Sequence, residues 1–230
     1  MSHNNLIRII KLSGFIACAI IFIFLAILIY FNRVEPIAID VVIRDFAYKI
    51  RGEKYGFVYW LARIVTEFGY FVIIVLFLLF AAFYTKLDFQ FFLLLFGVML
   101  SLILNVGMKD MYSRERPYAE MRWMAEDTTS FPSGHSTVAG FLYSFLIYLT
   151  YHTNFKKWLK SVIYVVCLLL MFLVMASRII LGVHYFTDVI AGCATGVMVS
   201  CLCMLLYRYC ANNNILTTGI LNRKDKNEKN

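Results

Sequence analysis

Three short stretches gather most of the chemically versatile side chains of an otherwise apolar chain. They are Lys109-Asp-Met-Tyr-Ser-Arg-Glu-Arg116-Pro117, then Pro132-Ser133-Gly134-His135, then Ser177-Arg178 followed by His184 and Asp188. A pocket built from Lys109, Arg116, Arg178, His135, His184 and Asp188 would hold three strong cations, two histidines and a carboxylate. Several fixed positive charges around one point suit a phosphate dianion, and arginine adds bidentate contacts. Ser133, Gly134 and His135 precede an apolar run, so backbone N–H groups at a helix start can point at the same anion, aided by the helix dipole. Gly134 leaves room for that approach. His184 and Asp188 stand four apart, which puts them on one face of a helix beginning near them. A carboxylate bonded to one imidazole nitrogen fixes the tautomer and leaves the other nitrogen to attack. His135, from a different helix, can protonate a departing alkoxide. Taken singly, each feature has a plainer reading. His184 with Asp188 fits a structural pair or two metal ligands, and Lys109 and Arg178 fit cations snorkelling at helix ends.

The pattern Lys-x6-Arg-Pro, Pro-Ser-Gly-His, Ser-Arg-x5-His-x3-Asp resembles that of the type 2 phosphatidic acid phosphatase superfamily, and all eleven specified positions are present in order. The resemblance runs from about residue 60 to 208. It implies that His184 is a nucleophile forming a phosphohistidine, supported by Asp188, and that His135 is the general acid that later activates water. It also implies that Lys109, Arg116, Ser133, Gly134 and Arg178 bind the phosphate, and that neither metal nor other cofactor takes part.

Such clusters can meet only if the elements carrying them end at one level. Six segments lack Asp, Glu, Lys and Arg: Leu12–Asn32, Phe68–Thr85, Phe89–Met108, Ser136–Phe155, Ser161–Ser177 and Val189–Tyr207. Each is 17 to 21 residues long, near the roughly 20 that cross a hydrocarbon core as a helix. The expected fold is therefore an all-α membrane protein of six transmembrane helices, with all three clusters at one end of the bundle. The first segment lacks a small-residue cleavage site and exceeds a signal-peptide core, so it reads as a retained helix. Between the first two spans, Ile37, Val41, Ile43, Phe46, Tyr48 and Ile50 interleave with Asp40, Arg44, Asp45 and Lys49, the mixture expected of interfacial helices. Residues 1–212 form one domain, and the Asn- and Lys-rich stretch 213–230 reads as a disordered cytoplasmic tail.

Composition agrees: 61% of residues are hydrophobic, against roughly half in soluble domains. The +8 net charge sorts by side and calls for no nucleic acid; the N-terminal face carries eleven Lys and Arg against three acidic residues. Once Lys109, Arg116 and Arg178 are set aside for chemistry, this bias predicts cytoplasmic termini and an extracytoplasmic site in the cell membrane. Most of the six cysteines lie inside apolar spans and read as small hydrophobes. Arg114, Arg122 and Trp123 read either as contacts to a second phosphate or headgroup or as interface anchors. Glu67 is expected to pair with Arg63, and Gly192 with Gly196 to pack within the bundle. The functional expectation is metal-independent hydrolysis of a lipid phosphate or diphosphate, with undecaprenyl diphosphate, phosphatidylglycerophosphate or phosphatidate as substrate and the bilayer as partner. Transfer to an acceptor other than water is the alternative, and a transporter the weaker one. The sequence leaves the oligomeric state open.

Overall fold

The computed structural model describes residues 3–69 and 89–212, with side chains over 12–69 and 89–210. The elements, in order, are α1 (His3–Phe31), α2 (Ala38–Arg51), α3 (Phe57–Glu67), α4 (Phe89–Tyr112), a 3-10 turn (Ala119–Met121), α5 (Gly134–Tyr151), α6 (Lys157–Ile180) and α7 (Phe186–Asn212). No strand occurs among the described residues.

Four helices are long and apolar enough to cross a membrane: Leu12–Phe31, Phe89–Tyr112, Lys157–Ile180 and Phe186–Cys210. They match the first, third, fifth and sixth expected spans. The fourth corresponds to α5, whose 18 residues make a rod about 27 Å long. The expected second span lies outside the described residues apart from Phe68 and Gly69, as does the tail 213–230.

α5 is the centre of the bundle. It packs most closely on α7 and also on α6 and α4, while α1 packs on α7 and α3 on α6. Small residues explain its position. A Cβ at Gly192 of α7 would overlap the Ser133 carbonyl oxygen, and one at Gly196 would overlap that of Thr137. Gly140 of α5 returns the fit, where a Cβ would lie 2.6 Å from the Cys193 carbonyl oxygen. Helices in lipid gain little from a hydrophobic force between them, so backbone approach and van der Waals contact hold them together. The expected intramolecular role of Gly192 and Gly196 is what the structure displays. Below this seam, Leu94, Val98, Phe141, Phe145, Val199 and Cys203 fill the space between α4, α5 and α7.

α2 and α3 pack on α6 and α7 near the site end of the bundle, each with large apolar side chains left exposed. α2 buries Asp40 and Arg51 while Ile39, Val42, Phe46 and Ile50 are exposed. On α3 the exposed residues are Phe57, Trp60, Leu61 and Ile64, at helical spacing. Arg63, expected to pair with Glu67, donates to the Met124 thioether at 3.0 Å, and the ion pairs among the described residues do not include it.

Candidate active site

The clusters converge at one end of the bundle, each placed by a different device. α4 and α6 run longer than the charge-free segments suggest, so Lys109 and Arg178 sit on their last helical turns. α5 starts at Gly134 with Ser133 as N-cap, its hydroxyl accepting from the Ser136 N–H at 3.4 Å. Phe131, fully buried among Leu25, Ala26, Ile29 and Ala191, anchors the strap that leads into that cap. Gly182, with φ 72°, makes the left-handed turn between α6 and α7 that a side chain would strain.

His184 is the focus. Its Nε2 faces Arg116 Nη1 at 3.2 Å. Nδ1 lies 3.7 Å from Asp188 Oδ2 and 3.5 Å from the Ser130 hydroxyl. A guanidinium only donates, so the partners assign the ring proton to Nδ1 and a lone pair to Nε2. Burial pulls the ring well below the ordinary value of 6.5, and the Arg116, Arg178 and Lys109 charges add to the effect. His184 is therefore neutral at pH 7. It does not share a helix with Asp188 as expected, because α7 begins at Phe186. The Asp188 carboxylate instead turns back over the helix start, where Oδ2 accepts from the Tyr185 N–H at 2.8 Å and meets the preceding imidazole.

Around this ring the cations are held in place. Arg116 Nη1 donates to the Val183 carbonyl at 2.6 Å and Nε to that of Thr128 at 2.5 Å. Lys109 donates to the Thr128 hydroxyl at 3.2 Å and to the Thr129 carbonyl. Arg178, at 0% exposure, donates to the Thr66 hydroxyl at 3.0 Å and approaches His135 Nε2 at 3.5 Å. His135, Arg178, Arg116 and His184 thus form a chain of neighbours spanning the site.

Two expectations change here. The Ser133 N–H donates to the Asp188 carbonyl oxygen at 3.0 Å, so the α5 start is docked on α7 and that N–H is not aimed at an anion. Gly134 serves a close approach, but to Asn105, whose Oδ1 lies 3.1 Å from where a Cβ would be. The expected roles of Arg114 and Trp123 do not match their surroundings either, and Arg122 is tied to its own loop. Arg122 holds the Pro117 carbonyl at 2.7 Å, and Trp123 is buried against Tyr59 and under Arg51. Arg114, 1% exposed, pairs with Asp188 and Asp40. Burial pulls Arg114 down, but those two carboxylates outweigh it and hold the guanidinium above its ordinary value.

Sequence reasoning missed Glu126, Ser130 and Asp40. Glu126 bridges the two arginines: Oε1 accepts from Arg178 Nη2, and Oε2 lies 3.6 Å from Arg116 Nη2. Ser130 donates to Asp188 Oδ2 at 2.5 Å. None of these has a spacing signal, since each reaches the site from a loop or a separate helix. Among the described residues, no three His, Cys, Asp or Glu side chains gather as a metal ion would need.

Comparison with known proteins bears on this arrangement. A family model described as the PAP2 superfamily matches residues 90–211, just over half of the chain. A phosphatidylglycerophosphatase B of Bacillus subtilis is 37% identical over 108 residues, 46% of this chain and 51% of that protein. The alignment thus spans about half the length of that curated relative. The crystal structure of a transmembrane PAP2-type phosphatidylglycerolphosphate phosphatase from Bacillus subtilis superposes with a TM-score of 0.72 at 26% identity, covering 85% of this chain and 96% of that one. Aquifex aeolicus LpxE superposes at 0.55 with 20% identity over 70% of this chain and 93% of its own, a likeness of fold.

Proposed function

The chain belongs to the PAP2 superfamily, and on that premise we propose that it is a membrane phosphatase hydrolysing a lipid phosphate ester through attack by His184. The observation that carries this reading is the pair of unlike environments at one buried imidazole. Nε2 carries the lone pair and faces the Arg116 guanidinium; Nδ1 turns to Ser130 and Asp188. Nε2 forms a bond to phosphorus as the bond from phosphorus to the lipid oxygen breaks. In the unliganded site burial and the Arg178 charge hold His135 well below its ordinary value; with the negative charge of a bound phosphate beside it, His135 takes up a proton and gives it to the departing alkoxide. Asp188 holds the imidazolium that develops. The free His135 ring then takes a proton from water as that water attacks phosphorus, which releases phosphate and restores neutral His184. Arg116, Arg178 and Lys109 meet the charge on the equatorial oxygens, the task a metal performs in other phosphoryl-transfer sites.

For substrate we propose phosphatidylglycerophosphate, because the relatives carrying that name are a curated protein at 37% identity and a solved structure at a TM-score of 0.72. Undecaprenyl diphosphate and phosphatidate present the same phosphate to the same cations and are the comparators. The reading includes six spans, α2 and α3 in the outer interface, cytoplasmic termini and a site on the extracytoplasmic side. The outward apolar rows of α2 and α3 support the interfacial placement.

Phosphate release by purified protein in detergent with excess EDTA, measured on the three lipids, tests the proposal. The expected result is EDTA-resistant release, fastest from phosphatidylglycerophosphate, and abolished in His184→Ala and His135→Ala variants that remain folded. Retained turnover in either variant overturns the assigned roles, and a uniform lack of release overturns the activity.

A further inference from the structure

Behind Asp188, on the side away from His184, lies a buried cluster that the three motifs do not describe. Asp40 comes from α2 and is 0% exposed. Arg114 stands two residues before Arg116 and reaches both carboxylates, with Nη2 on Asp40 Oδ2 at 2.7 Å and Nη1 on Asp188 Oδ1 at 2.5 Å. Nη1 also donates to the Thr187 hydroxyl at 2.8 Å. Thr187 in turn donates to Asp40 from its N–H at 2.9 Å and from its hydroxyl at 2.9 and 3.0 Å to the two oxygens. Asp40 therefore caps the first turn of α7 from outside that helix, satisfying an N–H that has no intrahelical partner. The Tyr185 ring, with the guanidinium carbon 4.5 Å from its centroid, covers Arg114 from a further side.

The consequence falls on Asp188. Its Oδ1 is taken by Arg114, and its Oδ2 by the Ser130 hydroxyl and the Tyr185 N–H. With both oxygens engaged, the carboxylate cannot rotate, and Oδ2 stays turned toward His184 Nδ1. Arg114 also places Ser130, whose N–H donates to the Arg114 carbonyl at 2.8 Å. We propose that Asp40 and Arg114 are positioning residues of the reaction: together they clamp Asp188 so that it fixes the tautomer and orientation of His184. This rests on His184 being the nucleophile. A plain structural role, fastening α2 to the bundle, is the competing account; it predicts lost stability with no effect that depends on Asp188.

The test combines turnover with a measurement that needs none. Asp40→Asn keeps the shape and removes the charge; turnover of phosphatidylglycerophosphate is measured for Asp40→Asn, Asp188→Asn and the double variant in detergent. We expect kcat to fall by about tenfold or more in Asp40→Asn, the scale on which the hydrogen-bond partners of a metal-bound imidazole act. KM should stay within about twofold, and the Asp188→Asn background should show little further loss, since residues acting through one another are not additive. In parallel, NMR of histidine-labelled protein reads the His184 tautomer, with its signals assigned by their absence from His184→Asn. The Nδ1–H form should dominate in the unsubstituted protein and lose ground in Asp40→Asn. If Asp40→Asn does not insert, Thr187→Val takes its place in both measurements. Losses that multiply independently of Asp188, or a tautomer unmoved by the substitution, would overturn the proposal. If the unsubstituted protein releases no phosphate from any lipid, the phosphatase reading fails while the tautomer measurement still decides the positioning.

Discussion

Glu126 occupies the space where two arginines converge, and a phosphate using both has to compete with it. Its carboxylate reaches Arg178 Nη2 on one side and Arg116 Nη2 on the other, yet it is itself 20% exposed. A hydrogen bond to a charged group is worth about 1.5–3 kcal/mol net, so giving up these contacts is a measurable cost on binding. Glu126→Gln keeps the shape and removes the charge. It should lower KM and tighten inhibition by inorganic phosphate by about tenfold, which corresponds to about 1.4 kcal/mol. Weaker phosphate inhibition in this variant would show instead that Glu126 serves to hold the arginines apart and in place.

Between elements, the seam of α5 with α7 governs whether the site exists at all. Pro132, Ser133 and His135 belong to the start of α5, Asp188 to the start of α7, and the Ser133 N–H bonded to the Asp188 carbonyl ties the two starts together. Lower down, Gly196 lets the α7 backbone lie against Thr137 and Phe141. Gly196→Val has to push a backbone aside, so it should cost about 1–3 kcal/mol or more and lower the unfolding midpoint in detergent. Gly107→Ala on α4 is the matched control, because nothing lies within 4 Å of its added Cβ. An equal midpoint for both variants would contradict this account of the seam.

For the whole molecule, the proposed orientation rests on charge. The proposed topology puts the 3-10 turn Ala119–Met121 outside and the α5–α6 connection inside, where Lys156 and Lys157 lie. An impermeant maleimide added to intact cells should label Glu120→Cys and spare Lys156→Cys, each measured over the unsubstituted protein. Both positions are exposed, so the reverse pattern would invert the orientation and put the site on the cytoplasmic side.

The sequence alone determined the parts that follow from local rules. Charge-free length marks α1, α4, α6 and α7 as helices able to cross a membrane, because hydrocarbon thickness sets the length of an apolar rod. The small residues of α7 were legible as a packing face, since close backbone approach needs the missing Cβ. Fixed spacing singled out Lys109, Arg116, Arg178, His135, His184 and Asp188, which the fold brings to one end of the bundle. Only the tertiary structure decided which side chains stand behind them. Asp40, Arg114, Glu126 and Ser130 carry no mutual spacing: Asp40 and Asp188 are 148 residues apart in sequence and meet through one guanidinium. The same holds for the Ser133 N–H, which looked available to an anion until docking of α5 on α7 gave it the Asp188 carbonyl. A buried charge must find its partner wherever the chain has folded back, and periodicity along one helix holds no record of that choice.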